Sequence, residues 1–196
     1  MTKGLCSRIT DSLMQAGAIK AEDKEVYEYG LTMMFSNVQN LVTAFIVGMV
    51  MGQIWECLLF QLAFIPLRTN AGGYHASTKR RCYFLSLVML ILALLGLRYL
   101  PLLLSANAGL VILFLSSAVI VMIAPVENKN KPLDQEEKKV YGRRARLILA
   151  CEVLVGCVCC FLADPGVLWV IALSTLSSAL SLIAGIYDLH CFRKER

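Results

Sequence analysis

The sequence predicts an all-α protein: a polytopic membrane helical bundle of about six membrane segments, the second short or re-entrant, with amphipathic helices at the N-terminus. Three observations carry that expectation. The first is composition. Of 196 residues, 58% are hydrophobic and 17% charged, and mean hydropathy is +0.66, whereas soluble domains average about 45–50% apolar and about 25% charged. The second is distribution, because long apolar runs alternate with short polar islands and a spanning helix needs about 20 apolar residues. The third is charge. Eighteen of the nineteen Lys and Arg residues fall in segments that a single orientation places on one side, as the positive-inside rule requires.

At this length one bundle is the expected domain count. Residues 1–30 read as an amphipathic membrane-surface segment, 31–190 as the transmembrane domain that would hold any catalytic site, and 191–196 as a basic cytoplasmic tail. In the first segment Leu5, Ile9, Leu13 and Ala16 recur every three or four positions, with Lys3, Arg8 and Asp11 between them, the pattern of a helix lying at the membrane surface. No apolar core follows Lys3, so a secretory signal peptide is not expected. Gly17-Ala18 should break this helix, and a second short one should start near Ala21, with Glu22, Asp23 and Glu25 in its first turn, where the helix dipole favours acids.

Leu31 to Leu67 is a 37-residue run whose only formal charge is Glu56. It is too long for one span and tight for two. Leu31–Met51 reads as the first span, Gly52-Gln53 as a turn, and Trp55–Leu67 as a short second segment that Pro66 would end or bend. Tyr83–Leu97 reads as the third span, Arg98 to Asn107 with Pro101 as a connection, and Ala108–Ala124 as the fourth. A charged loop, Pro125 to Arg146, carries seven Lys/Arg and four Asp/Glu. Leu147–Ala163 and Val167–Tyr187 complete the set, joined by an Asp164-Pro165-Gly166 turn. With a cytoplasmic N-terminus, the polar stretch at 68–82, the loop at 125–146 and the C-terminus also become cytoplasmic, and only Arg98 lies outside. The net charge of +5 follows from this bias and from attraction to anionic membrane lipids; it does not call for nucleic acid.

The stretch that concentrates chemistry is Arg68 to Cys82, R-T-N-A-G-G-Y-H-A-S-T-K-R-R-C. Thiolate is the attacking form of cysteine, and cations or a helix N-terminus favour it. Lys79, Arg80 and Arg81 directly precede Cys82, and the apolar run beyond it begins a helix. His75 is the nearest base, and Cys with His is a recurring nucleophile-and-base pair. Seven residues separate them, about 10.5 Å along a helix, whereas a dyad needs about 3 Å. The chain must therefore fold back, with Ser77 or Thr78 capping the helix that bears Cys82. Gly72 and Gly73 allow a tight turn, and their N–H groups could face an oxyanion. Arg68 could clamp a carboxylate or snorkel to lipid headgroups, and Asn70 could orient His75. The competing reading of a basic run beside an apolar span is a plain topology signal.

The order Arg68, Gly72-Gly73, His75, Cys82 resembles the signature of the accessory gene regulator B (AgrB) family, and Ala124-Pro125-Val126-Glu127-Asn128-Lys129-Asn130-Lys131-Pro132-Leu133 resembles that family's second polar loop. The likeness runs from about Glu22 to Tyr187. It implies a cysteine endopeptidase in the bacterial cell membrane. Its substrate would be a small AgrD-like propeptide, cut through a Cys82 thioester with His75 as base and cyclised to a thiolactone or lactone signalling peptide. It also implies a homodimer. The chemistry needs neither metal nor ATP, so no cofactor is expected.

Other candidates weigh less. Glu152 enters the fifth span about one turn in, where it could pair with Arg68 or Arg146 or hold part of a substrate. Cys157, Cys159 and Cys160 lie in an apolar span and read as small hydrophobes. Cys191 beside His190 lacks glycines or a pocket. Neither a Walker loop nor H-E-x-x-H occurs. Two rival functions fit the same architecture: a peptide exporter, for which no inverted repeat is apparent, and a non-catalytic membrane partner of a signalling system.

Overall fold

The computed structural model describes residues 2–74, 78–127, 134–162 and 165–194. Among these, seven α-helices and one 3-10 turn form, and no strand. The chain divides into two compact units, Met1–Ile46 and Val47–Arg196.

In the first unit, α1 (Thr2–Gln15) ends just before Gly17, whose φ of +71° turns the chain. The short second helix expected at Ala21 is instead a 3-10 turn, Ala21–Asp23, which leads without a break into α2 (Lys24–Met51). Nothing from Lys24 onward interrupts a helix strongly enough to stop it. Thr32 and Ser36 donate their hydroxyls to the carbonyls of Glu28 and Thr32, at 2.7 and 2.8 Å, and so spend their polarity inside the helix. Lys24 pairs with Asp11 at 2.6 Å.

In the second unit, α2 closes at Gly52 (φ +67°), and α3 (Ile54–Ala71) doubles back with Gly48 facing Cys57; a Cβ at Gly48 would lie 2.9 Å from the Cys57 Cβ. Gln53 fixes this corner by donating its side-chain amide to the Leu94 carbonyl at 3.1 Å. Then follow α4 (Lys79–Leu103), α5 (Ala106–Ile123), α6 (Gln135–Phe161) and α7 (Pro165–Lys194). Two prolines expected to interrupt the chain do not. Pro66 lies inside α3, which continues to Ala71, and Pro101 lies inside α4, so the connection expected at 98–107 shrinks to Leu104-Ser105. An apolar helix with packed neighbours tolerates the lost backbone bond.

Four helices are long and apolar enough to cross a membrane: Lys24–Met51, Arg80–Leu103, Ala106–Ile123 and Pro165–His190. The other two expected segments are the helices α3 and α6, which fall outside that set among the described residues. The reason is polarity: α3 is as long as α5 but carries Glu56, Gln61, Arg68 and Asn70, and the first half of α6 is charged. The apolar part of α6 begins only at Leu147 and ends at Phe161, about 22 Å of rise against a core of about 30 Å. Its polar first half is helical because it is well capped. Asp134 accepts from the Glu137 N–H at 2.7 Å, and Glu137 accepts from the Asp134 N–H at 3.3 Å, a capping box with two acids in the first turn.

α7 is the centre of this unit and packs against α3, α4, α5 and α6. Of its apolar window 67% is buried, against 12–28% in the other three candidate spans. Ala172, Ser174, Ser178 and Ala179 are all buried on it, and small residues let helix backbones approach closely. One apolar layer joins Leu67, Ala71, Ile120, Val126, Ala145, Leu149, Ala179 and Leu182; a second joins Leu113, Leu168, Ile171 and Ala172. Outward-facing Val50, Leu102, Met122 and Phe161 are each at least 80% exposed, as side chains turned toward lipid would be.

Asp134→Ala should cost about 1 kcal/mol by removing the capping box. Amide hydrogen exchange over Glu136–Lys138 should then speed up about fivefold, with Asp134→Ser keeping most of the protection.

Candidate functional site

The site starts at the C-terminus of α3. Gly72 ends the helix with φ +78°, and its N–H donates to the Arg68 carbonyl at 3.1 Å. The Arg68 side chain then folds over its own helix end. Nη1 donates to the Gly72 carbonyl and Nη2 to the Tyr74 carbonyl. One guanidinium thus grips the turn at two points, using the planar fork that distinguishes Arg from Lys. Burial lowers the pKa of Arg68, and the negative charge available on Cys82 acts in the opposite direction.

The gripped segment is also wedged. Gly72 pairs with Val126 in an isolated parallel bridge, and the Val126 N–H donates to the Ala71 carbonyl at 2.9 Å. On the other side the Tyr74 N–H donates to the Ser181 carbonyl of α7 at 2.9 Å. The two glycines are needed for this fit. A Cβ at Gly72 would overlap the Val126 carbonyl oxygen. At Gly73, with φ +120°, a Cβ would lie 2.9 Å from both Arg68 Nη1 and the Ser181 oxygen. Gly185 completes the cradle, since a Cβ there would lie 2.7 Å from the Gly73 carbonyl carbon. The Gly72 N–H is thus committed to the helix end, and of the two glycines considered for an oxyanion only Gly73 has no such role in closing the helix.

Cys82 enters from the next helix. Thr78 is the N-cap of α4, its hydroxyl accepting from the Arg81 N–H at 3.3 Å, and the Cys82 N–H donates to the Thr78 carbonyl at 3.0 Å. The capping expected at Ser77 or Thr78 falls to Thr78. Cys82 is a free, half-buried thiol in the first turn of α4, where the positive end of the helix dipole favours negative charge. His75 lies outside the described residues. Asn70 donates its side-chain amide to the Pro66 carbonyl at 2.8 Å within its own helix.

Glu152 is elsewhere. It is buried in α6, and neither carboxylate oxygen has a hydrogen-bond partner. The pairing considered for it with Arg68 or Arg146 does not form: Arg68 holds the turn, and Arg146 donates through Nε to the Gly142 carbonyl at 3.1 Å. Sequence reasoning missed Val126, Ser181 and Gly185 as walls of the site. The Ser181 and Gly185 spacing, small residues four apart in an apolar helix, was the available signal.

Comparison with known proteins finds relatives that align with most of the chain. The chain is 24% identical over 152 residues to an AgrB-like protein of Clostridium perfringens strain SM101, covering 75% of this chain and 71% of that one. It is 28% identical over 131 residues to AgrB-like protein 2 of Clostridium perfringens strain 13, covering 64% and 61%. It is 24% identical over 141 residues to the accessory gene regulator protein B of Staphylococcus intermedius, covering 69% and 70%. No solved structure matches. The family model of accessory gene regulator B matches residues 6–183. That span takes in Arg68, both glycines, Cys82, Val126 and Ser181, and the chain belongs to the accessory gene regulator B (AgrB) family.

Proposed function

We propose that this chain is a membrane-embedded cysteine endopeptidase that cleaves a small AgrD-like propeptide and promotes its cyclisation to a thiolactone or lactone. Family membership supports a part in the agr quorum-sensing system. The observation that carries the finer reading is Cys82, a free thiol in the first turn of a capped helix whose cap, Thr78, lies four residues beyond Tyr74, the end of the glycine turn that Arg68 grips.

In the proposed reaction the Cys82 thiolate attacks a backbone carbonyl of the bound propeptide while His75 holds the thiol proton. The tetrahedral oxyanion forms beside the glycine turn, where an N–H or the Arg68 charge can meet it. As the C–N bond breaks, His75 passes the proton to the departing amine and a C-terminal fragment leaves. A thiol or hydroxyl of the retained fragment then attacks the thioester carbonyl and passes its proton to the now neutral His75, the ring closes, and Cys82 leaves as thiolate. Exchange of one thioester for another is nearly neutral. Formation of the thioester from an amide is uphill, so removal of the cleaved fragment draws the sequence forward. A water-poor site keeps the thioester from hydrolysis. The basic loops orient this site and both termini to the cytoplasm, and a homodimer in the bacterial cell membrane is the proposed working form.

The direct test is the purified protein in detergent mixed with propeptide. Mass spectrometry should find an acyl adduct on Cys82, and Cys82→Ala and His75→Ala should each abolish cleavage at normal expression. Cleavage that survives both changes would rule the reading out. Arg68→Lys keeps the charge but loses the two-point grip; kcat/KM should fall about tenfold to a hundredfold, because misplacing reacting groups by about 1 Å costs on that order. Gly185→Ala removes no polar group, yet its methyl would press on the Gly73 backbone. It should reduce cleavage about as severely as Arg68→Lys, while far-UV circular dichroism stays unchanged.

A further inference from the structure

The bundle interior holds a second polar feature, one layer away from the glycine turn. Glu152 is 8% exposed and both of its oxygens lack partners; the hydroxyls of Ser117, Ser174 and Ser178, at 7%, 0% and 1% exposure, lack them as well. Helix register brings these groups to a common level. On α6, Glu152 lies between Leu149, in the layer with Ile120, Ala179 and Leu182, and Gly156, against which Leu113, Leu168 and Ile171 pack. On α5, Ser116 and Ser117 fall between Leu113 and Ile120; on α7, Ser174 to Ser178 fall between Ile171 and Ala179. Ser116 and Thr175 tie α5 to α7 at this level by a 2.8 Å hydrogen bond. Ser117 on α5 and Leu149 and Val153, which lie three residues before and one after Glu152 on α6, line a groove of about 700 Å³ between the two helices.

Serine in a helix ordinarily spends its hydroxyl on the carbonyl four residues back, as Ser177 does on Leu173 at 2.7 Å. Ser117, Ser174 and Ser178 do not. Among the described residues no protein cation answers the acid either. The helices packed against α6 are α3, α5 and α7. α5 has no charged residue, α7 has none before Asp188, and α3 has Glu56 and Arg68, the latter engaged with the glycine turn. On α6 itself Arg146 lies six residues before Glu152 and donates to Gly142; Cys151 and Cys157 are its nearest other titratable neighbours. An intramembrane acid calls for a partner, and an unpaired buried charge is costly.

We infer that Glu152 with the Ser117, Ser174 and Ser178 hydroxyls forms a binding site for a small monovalent cation of the sodium class inside the bundle. The donor set is all hard oxygen, which suits alkali and alkaline-earth ions over transition metals. One carboxylate balances one positive charge, so a divalent ion would leave a net charge in an apolar interior. A proton competes for the same carboxylate. The site is independent of the cleavage chemistry and can be tested apart from it.

The test is binding of radioactive sodium to the full-length protein in detergent, by scintillation proximity at alkaline pH with choline balancing ionic strength. The expected result is saturable binding of about one ion per chain, displaced by unlabelled sodium and by acidification and absent in Glu152→Gln. Ser178→Ala should weaken it about tenfold, the loss of one hydrogen-bonding group on a charge. Should Glu152→Gln misfold by circular dichroism, the Ser174→Ala/Ser178→Ala pair carries the same expectation. No saturable binding by the folded parent, or sodium binding retained by folded Glu152→Gln, overturns the inference and leaves Glu152 neutralised by a proton alone.

Discussion

Everything at the candidate site depends on a close approach of backbones. The Gly72–Tyr74 segment passes between Val126 and α7 with so little room that a methyl group at Gly72, Gly73 or Gly185 would collide with main-chain atoms. That approach is possible because α7 is central and presents small residues, and it is held by one side chain. Arg68 is a half-buried cation, which is expensive unless its donors are met. Two carbonyls of the turn meet them, each hydrogen bond to a charge contributing about 1.5–3 kcal/mol. The turn and the guanidinium therefore justify one another. Without the turn Arg68 would be half-buried and unpaired, and without Arg68 the Gly72 and Tyr74 carbonyls would lose their shared donor.

The same arrangement sets where the thiol can be. The chain leaves Tyr74 anchored to Ser181 and has only three residues before Thr78 caps α4. Cys82 is thus tethered within a short reach of a fixed point, at a helix start.

Much of this was legible in the sequence, and for local reasons. Gly17 and Gly52 turn the chain where only glycine is comfortable, and Thr78 caps a helix because its hydroxyl replaces a missing acceptor. The motif residues Arg68, Gly72, Gly73 and Cys82 were all identifiable by type and order. What escaped was whatever depends on neighbours. Pro66 and Pro101 usually end helices in water, but inside a packed apolar bundle they do not. α6 runs twelve residues further back than its apolar stretch, from Gln135 instead of Leu147, because a capping box stabilises charged turns that hydropathy reads as loop. The Arg68 role was legible only in part. A guanidinium at a membrane edge suggests an anionic ligand, and only the folded turn reveals that two backbone carbonyls come first. Ser181 and Gly185 were invisible for the same reason, since a small residue announces what it admits only when the admitted segment is known.

The bundle separates two kinds of polarity with a single apolar layer. On one side lies the glycine turn beside Val126 and Ser181; on the other lie Glu152 and the serines of α5 and α7. Leu67, Ile120, Leu149 and Leu182 fill the space between, each no more than 2% exposed. This layer has a chemical consequence for the proposed reaction. A thioester intermediate persists only while water is scarce, and a buried carboxylate with loose hydroxyls is what draws water into a helical interior. Close-packed leucine and isoleucine put an apolar barrier between that water and the turn. The polar layer can then hold an ion or a proton without supplying the nucleophile that would hydrolyse the acyl-enzyme. Acid and thiol can share one small bundle because a turn of packed hydrocarbon stands between them.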